Sequence, residues 1–258
     1  MGDVSRPLFF CVALVATAVP FAVFVGPARA DAPPEAPAAV DLGLPPLAPL
    51  LAKLGTHGER IEEMKKRGSY TLSGRIEQLD GDGAIDSWKN LVLRIVATGE
   101  PVPKSEVVKY VEDGEDKTAE AKKKAADRAK QKVDKRREFR VPFLPSEQAK
   151  YDFRVVGRDV RHPELVKIGF TAKKPADDTW TGSAWVHQTD GEIERMTFGF
   201  SKNPTFVDQA EATLVFGNRT ELGRAPSELS FDAKGGFLFI RRHYRGRATL
   251  TDAALAKN

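Results

Sequence analysis

The chain has 258 residues, 41% hydrophobic and 29% charged, with a formal net charge of +4. That balance excludes a chain disordered throughout, and the length suits one domain of about 200 residues behind a leader and a linker. The only cysteine, Cys11, lies in the leader, so disulfides and thiol chemistry are excluded from the rest of the chain.

The leader comes first in chain order. Arg6 supplies a thin positive start, an apolar run extends from Leu8 to Val25, and Ala28-Arg29-Ala30 places small residues at both positions before a cut. This is the layout of a secretory signal peptide over residues 1–30. A run of that length just spans a bilayer, so a retained anchor is the alternative. Pro20 inside the run and the cleavage pattern favour removal. Cys11 follows the bulky Leu8-Phe9-Phe10 near the start of the run, which is not where a lipid-attachment cysteine sits. Cleavage also removes Asp3 and Arg29, with Arg6, and lowers the net charge from +4 to +3. A cysteine-free exported domain points to a bacterial periplasm, or secretion, as its compartment.

Residues 31–49 are rich in proline (Pro33, Pro34, Pro37, Pro45, Pro46, Pro49), and are read as an extended linker because proline fixes φ and removes amide donors. The domain is expected over 50–252, with 253–258 as a tail. Thr56-His57-Gly58-Glu59 has the form of a capping box. It predicts a short helix with Ile61 and Met64 on its apolar edge, ended by Gly68. Leu50, Leu51 and Leu54 form an earlier turn that Gly55 interrupts.

After Gly68 the period changes to two. Strands are predicted at 70–76, 88–97 and 106–111, with a turn at Asp80-Gly81-Asp82-Gly83. Residues 117–137 then hold ten basic side chains against Glu120, Asp127 and Asp134, with no glycine or proline. Helix propensity there is high, but the apolar face is thin, so this insert is expected to project or to lie along a surface. Alternation resumes at Tyr151-Phe153-Val155 and Val166-Ile168-Phe170, and continues through 180–187, 192–200, 212–216, 228–231 and 237–250. Asp190-Gly191 between two such runs predicts a type I′ hairpin, which needs φ > 0 at both central residues. Lys234-Gly235-Gly236 is read as the link between the last two strands. The fold class is therefore mainly β with helices, an antiparallel meander of nine or ten strands that must curl to manage its edges.

Several of these segments carry a family resemblance. They are Val107 to Gly114, Phe143-Leu144-Pro145, Tyr151 to Gly157, Leu165 to Phe170, and Gly182-Ser183-Ala184-Trp185-Val186 running into Thr189-Asp190-Gly191. Together they resemble the outer-membrane lipoprotein-sorting superfamily, the LolA/LolB-like and LppX-like unclosed β-barrels, over roughly residues 69–252. The resemblance implies a curved half-barrel with a helix plugging its apolar concave side, where known members carry acyl chains or lipoprotein tails. The basic insert is not part of the small carriers, and no carrier's functional arginine maps onto a position here.

The residues add a second line of reasoning. A half-closed sheet must turn one set of alternate side chains towards a plug or a ligand, because an exposed apolar face aggregates. Phe153, Val155, Ile168, Phe170, Met196, Phe198, Phe200, Leu214 and Phe216 are that inward set, lining either an acyl-binding cavity or a filled core. Two basic patches remain: Lys122, Lys123, Lys124, Arg128 and Lys130 on the insert, and Arg241, Arg242 and Arg245 near the C-terminus. An exported protein meets little nucleic acid, whereas anionic head groups are close by, so membrane or partner contact is the functional reading and a solvated charged face the plain one.

Dinucleotide, phosphate-loop, metalloprotease and serine-hydrolase motifs are absent. His57, His162, His187 and His243 share no ligand spacing. The Asp80 turn has Ile85 and Leu91 where a calcium loop needs glycine and glutamate. No cofactor or metal is expected, and the chain is read as a monomeric non-enzyme. The function expected is that of a periplasmic lipid-binding or lipoprotein-binding carrier; the alternative is an envelope interaction protein with a filled barrel, docking a partner or an anionic membrane through its basic helix.

Overall fold

Two-residue alternation dominates the chain, and it folds into one open antiparallel sheet. The computed structural model describes residues 43–98, 103–129, 140–176, 178–237 and 240–255; the leader and nearly all of the proline-rich linker lie outside them. The strands are β1 (Gly68–Leu79), β2 (Ile85–Val96), β3 (Lys104–Glu112), β4 (Glu115–Asp116), β5 (Tyr151–Arg158), β6 (Leu165–Ala172), β7 (Trp180–His187), β8 (Ile193–Phe200), β9 (Val207–Val215), β10 (Asn218–Thr220), β11 (Gly223–Ala225), β12 (Glu228–Phe237) and β13 (Ile240–Leu255). Eleven of them join in the order β4-β3-β2-β1-β13-β12-β9-β8-β7-β6-β5, while β10 and β11 form a separate hairpin. The sheet curls into a half-barrel and does not close. Its halves meet where β1 pairs with β13, from Gly68 opposite Leu255 to Leu79 opposite His243.

Register assigns every side chain to one of two faces. Leu72 lies opposite Leu93 and Leu250, Leu229 opposite Leu214, and Phe170 opposite Phe153. These positions make one continuous apolar face. The alternate rows carry Arg75, Arg247, Ser230, Thr213 and Thr197 on the other. The helix α1 (Leu47–Arg67) covers the apolar face over β5 to β9. Leu50, Leu54 and Ile61 enter a buried cluster with Val141, Phe143 and Leu144 from the segment before β5. Tyr70 joins this cluster to a smaller one made by Leu72, Leu93 and Ile95. Burial pushes the Tyr70 phenol well above its ordinary value.

Several local expectations are corrected. α1 is one helix of 21 residues beginning at Leu47, inside the stretch read as linker, and its N-cap is Pro46 without a side-chain bond. The capping box is unused: Thr56 donates back to the Ala52 carbonyl at 3.4 Å. Gly55 does not interrupt the helix. A Cβ at Gly55 would lie 3.2 Å from Pro145 and Gln148, and one at Gly58 would lie 3.4 Å from the Leu144 amide. Both glycines let α3 (Pro145–Gln148) and its approach sit against the helix. Packing outweighs a propensity cost of about 1 kcal/mol each.

The pair of positive φ angles expected at Asp190-Gly191 occurs at another turn. Asp113 and Gly114, between β3 and β4, both take positive φ (48° and 90°), whereas at Asp190-Gly191 only the glycine does. Gly235 and Gly236 are strand residues, paired with Arg242 and Arg241, and β12 runs on to Phe237. The basic insert is helical over Thr118–Ala129 (α2) and packs along β3, anchored where Thr118 Oγ1 accepts the Tyr110 amide at 2.9 Å. Its expected continuation to 137 lies outside the described residues. No helix among the described residues is long and apolar enough to cross a membrane.

Candidate functional site

The nine inward residues named from sequence do share one face and one cluster. Ile168, Phe170, Met196, Phe198 and Phe216 are 0–2% exposed, while Phe153, Val155, Phe200 and Leu214 pack partly buried against them. Aromatic edges organise this seam: Phe143 meets Phe170 at 5.4 Å, and Trp180 meets Phe198 at 5.4 Å and stacks on Phe200 at 5.1 Å. α1 and the Val141–Leu144 segment fill the space above them. A ligand reaches the five fully buried side chains only when that cover moves.

The cover is fastened at its middle. Ile193 N–H donates to His57 Nδ1 (3.0 Å), which leaves Nε2–H to donate to the Arg224 carbonyl (3.1 Å). This pattern requires a neutral imidazole, and His57 is 1% exposed. Burial lowers its pKa below the ordinary 6.5, opposed by the Arg224 hydrogen bond, Glu192 and Asp190 and aided by Arg60. Beside it Glu192 accepts from Arg219 (2.9 Å) and from the Arg224 amide (3.3 Å). Glu194 meets Arg224 at 2.6 Å and His187 at 3.1 Å. One turn earlier, Lys53 donates to the carbonyls of Gln188 and Thr189 at 3.3 and 2.8 Å. Gly191, at φ 74°, comes so close that a Cβ would lie 2.5 Å from that of Lys53.

Beside the covered seam lies an apolar crevice that sequence reasoning missed. Leu72, Gly74 and Ile76 of β1 line it with Leu91 of β2, Leu229 and Phe231 of β12, and Ala248 of β13, and Arg75 and Arg247 complete the lining. Small residues make the depression: a Cβ on Gly74 would lie 2.9 Å from Ala248, and one on Gly246 would enter the Phe231 ring. The signal was present as the same alternation in β1 and β13, with glycine and alanine at inward positions, but nothing local marks where the cover by α1 ends. The free space amounts to about 20 Å³, the room of a single water.

The two basic patches stay apart. Lys122, Lys123 and Lys124 are exposed on α2, with Lys124 paired to Glu120 at 2.7 Å; Arg128 is the last residue but one of that helix, and Lys130 lies outside the described residues. Arg241 pairs with Asp208, and Arg245 is bound to Glu77 at 2.7 Å. Arg242 lies on the opposite face of β13 from both, by strand alternation. β2 and β1 separate β3, which carries α2, from β13. Among the described residues no group of three or more His, Cys, Asp or Glu side chains is placed to hold a metal.

No protein-family model matches the chain, and no curated protein matches it. Solved structures do resemble it. A LolA superfamily protein from Nitrosomonas europaea aligns at 8% identity and TM-score 0.32, covering 78% of this chain and 93% of its own. A DUF1329 family protein from Desulfovibrio piger aligns at 11% identity and TM-score 0.38, covering 80% and 93%. A domain named for outer membrane lipoprotein sorting, from Vibrio parahaemolyticus, aligns at 10% identity and TM-score 0.39, covering 81% and 92%. The first bears the name of the superfamily that the strand motifs resemble; at such identities no residue role passes from these proteins to this chain.

Proposed function

We propose that this chain is a periplasmic, non-enzymatic binding protein whose apolar sheet face accepts an acyl chain, from a lipid or an acylated lipoprotein. The observation that carries this reading is the uneven cover of that face. α1 seals β5 to β9, while the crevice between Leu72, Leu91, Leu229 and Phe231 sits at the edge of that seal. Each methylene buried there contributes about 0.8 kcal/mol. A chain longer than a few carbons needs the Phe231 ring or α1 to move, so the resting state is a closed one. Titration with a fluorescent sixteen-carbon fatty acid tests this. Saturable binding is expected, weakened at least about tenfold by Ala248→Phe, which fills the crevice. Absence of uptake, or uptake indifferent to Ala248→Phe, refutes it.

A second reading has its own observation. Lys122 and Lys123 stand exposed on a helix fixed to β3, suiting a filled half-barrel that docks an anionic membrane or partner, each near-surface lysine adding about 1 kcal/mol. Flotation with phosphatidylglycerol vesicles, lost in the double variant Lys122→Glu and Lys123→Glu while fatty-acid uptake is absent, is the result that favours it.

A further inference from the structure

The polar face of the sheet carries a groove of about 420 Å³ crossing β1, β13, β12 and β9, which adjoins the crevice at Arg75, Phe231 and Arg247. Register builds it from two parallel rows. One reads Arg75, Arg247, Ser230, Thr213 across the four strands, and the other reads Glu77, Arg245, Asp232, Glu211. Neighbours in a row are about 5 Å apart, and the rows are about 7 Å apart along the strands. The hydroxyls of Ser230 and Thr213 are short, so the longer arginines and acids stand around them as walls.

Arg75 and Arg247 face each other directly across β1 and β13, a like-charge arrangement that destabilises a sheet unless something anionic lies between. Glu77 compensates only in part. It receives Nε of Arg75 on one oxygen and Nε of Arg245 on the other, each at 2.7 Å. Because both arginines use Nε, their Nη groups remain for another acceptor. Trp88 supports the arrangement from β2, with the Arg75 guanidinium 4.4 Å over its ring. Arg247 is 77% exposed and reaches Glu228 only at 4.0 Å. The second row ends in opposite charge. Asp232 is hydrogen-bonded to His243 at 2.9 Å, and Glu211 is exposed and forms no ion pair among the described residues.

Oriented guanidinium donors at one end and an unpaired carboxylate two strands away make a dipolar site. Planar arginine forks suit phosphoryl oxygens. We propose that this groove binds a zwitterionic phosphoryl-amine group, with its phosphoryl on the Nη donors of Arg75, Arg245 and Arg247, and its ammonium towards Glu211 and Asp232. The groove shares Arg75, Phe231 and Arg247 with the crevice, but its assignment does not depend on an acyl chain binding there.

Calorimetry on the full chain with phosphoethanolamine, inorganic phosphate and ethanolamine tests the assignment. Phosphoethanolamine is expected to bind at least about fivefold more tightly than phosphate, and ethanolamine weakest. Arg247→Gln should weaken both phosphoryl probes about tenfold, the loss of one charge-assisted contact. Glu211→Gln should weaken phosphoethanolamine alone and close the gap to phosphate. Both side chains are exposed, so melting temperatures should stay unchanged. Flotation with phosphatidylethanolamine vesicles separates the sources: binding lost in Arg247→Gln assigns a lipid head group, whereas binding of the free probe alone assigns a soluble ester. No saturable binding of phosphoethanolamine, or an affinity untouched by Arg247→Gln, overturns the proposal. A preference over phosphate that survives Glu211→Gln overturns the zwitterionic part.

Discussion

Replacing His57 with leucine tests the fastening of α1 to the sheet most directly. Leucine keeps the bulk and removes both ring nitrogens. The Ile193 amide then lies buried without its 3.0 Å acceptor, which costs about 1–3 kcal/mol. The Arg224 carbonyl loses one donor, worth about 1 kcal/mol. The sum, about 2–4 kcal/mol, corresponds to roughly 5–15 °C in Tm for a domain of this size. Urea denaturation followed by tryptophan fluorescence measures it. Acid supplies an independent reading. The folded-state pKa of His57 lies below its ordinary 6.5, so protonation favours the unfolded chain. The stability it contributes is complete above pH 6.5 and declines as pH falls from there towards the folded pKa. The leucine variant should lack that part of the decline. A variant that unfolds within about 0.5 kcal/mol of the parent, or one that keeps the parent's slope below pH 6.5, would refute this account of the clamp.

Further outcomes stem from neighbouring geometry. Gly191→Ala should destabilise by about 1–3 kcal/mol in the same urea assay, since alanine resists φ 74° and its Cβ would press on Lys53. Lys53→Met, which keeps the stem and loses only exposed hydrogen bonds, should cost under about 1 kcal/mol. Glu77 is held below its ordinary 4.5 by Arg245 and Arg75. Its contribution is therefore complete above pH 4.5 and lost as pH falls towards the folded pKa, so Glu77→Gln should flatten the acid limb of a pH-stability curve below 4.5. An unchanged limb would assign that limb to other carboxylates.

Much of the fold was legible because strand alternation is local. Tyr151-Phe153-Val155, Val166-Ile168-Phe170 and Met196-Phe198-Phe200 each state which side of a strand is apolar, whatever the strand's neighbour. The candidate site was legible only in half. The same alternation that grouped the nine inward residues also ran through Leu72, Gly74 and Ile76, yet nothing in those residues tells that α1 stops short of them. The groove on the polar face was further hidden: Arg75, Glu77, Arg245 and Arg247 are ordinary outward positions until β1 meets β13, some 170 residues later in the chain.

Sequence by itself determined the absence of cysteine after Cys11, the period-two pattern and the two-faced character of the sheet, and it set the export leader as an expectation, since each depends on residue type and near spacing. Tertiary structure decided the rest. Gly55 and Gly58 break helices by propensity but here admit α3, and Asp190-Gly191 closes the β7–β8 hairpin through a longer loop packed on Lys53 instead of a two-residue type I′ turn. Strand order, cover and the meeting of distant charges arise from contacts between segments far apart in the chain, whose free energies outweigh local preferences of about 1 kcal/mol.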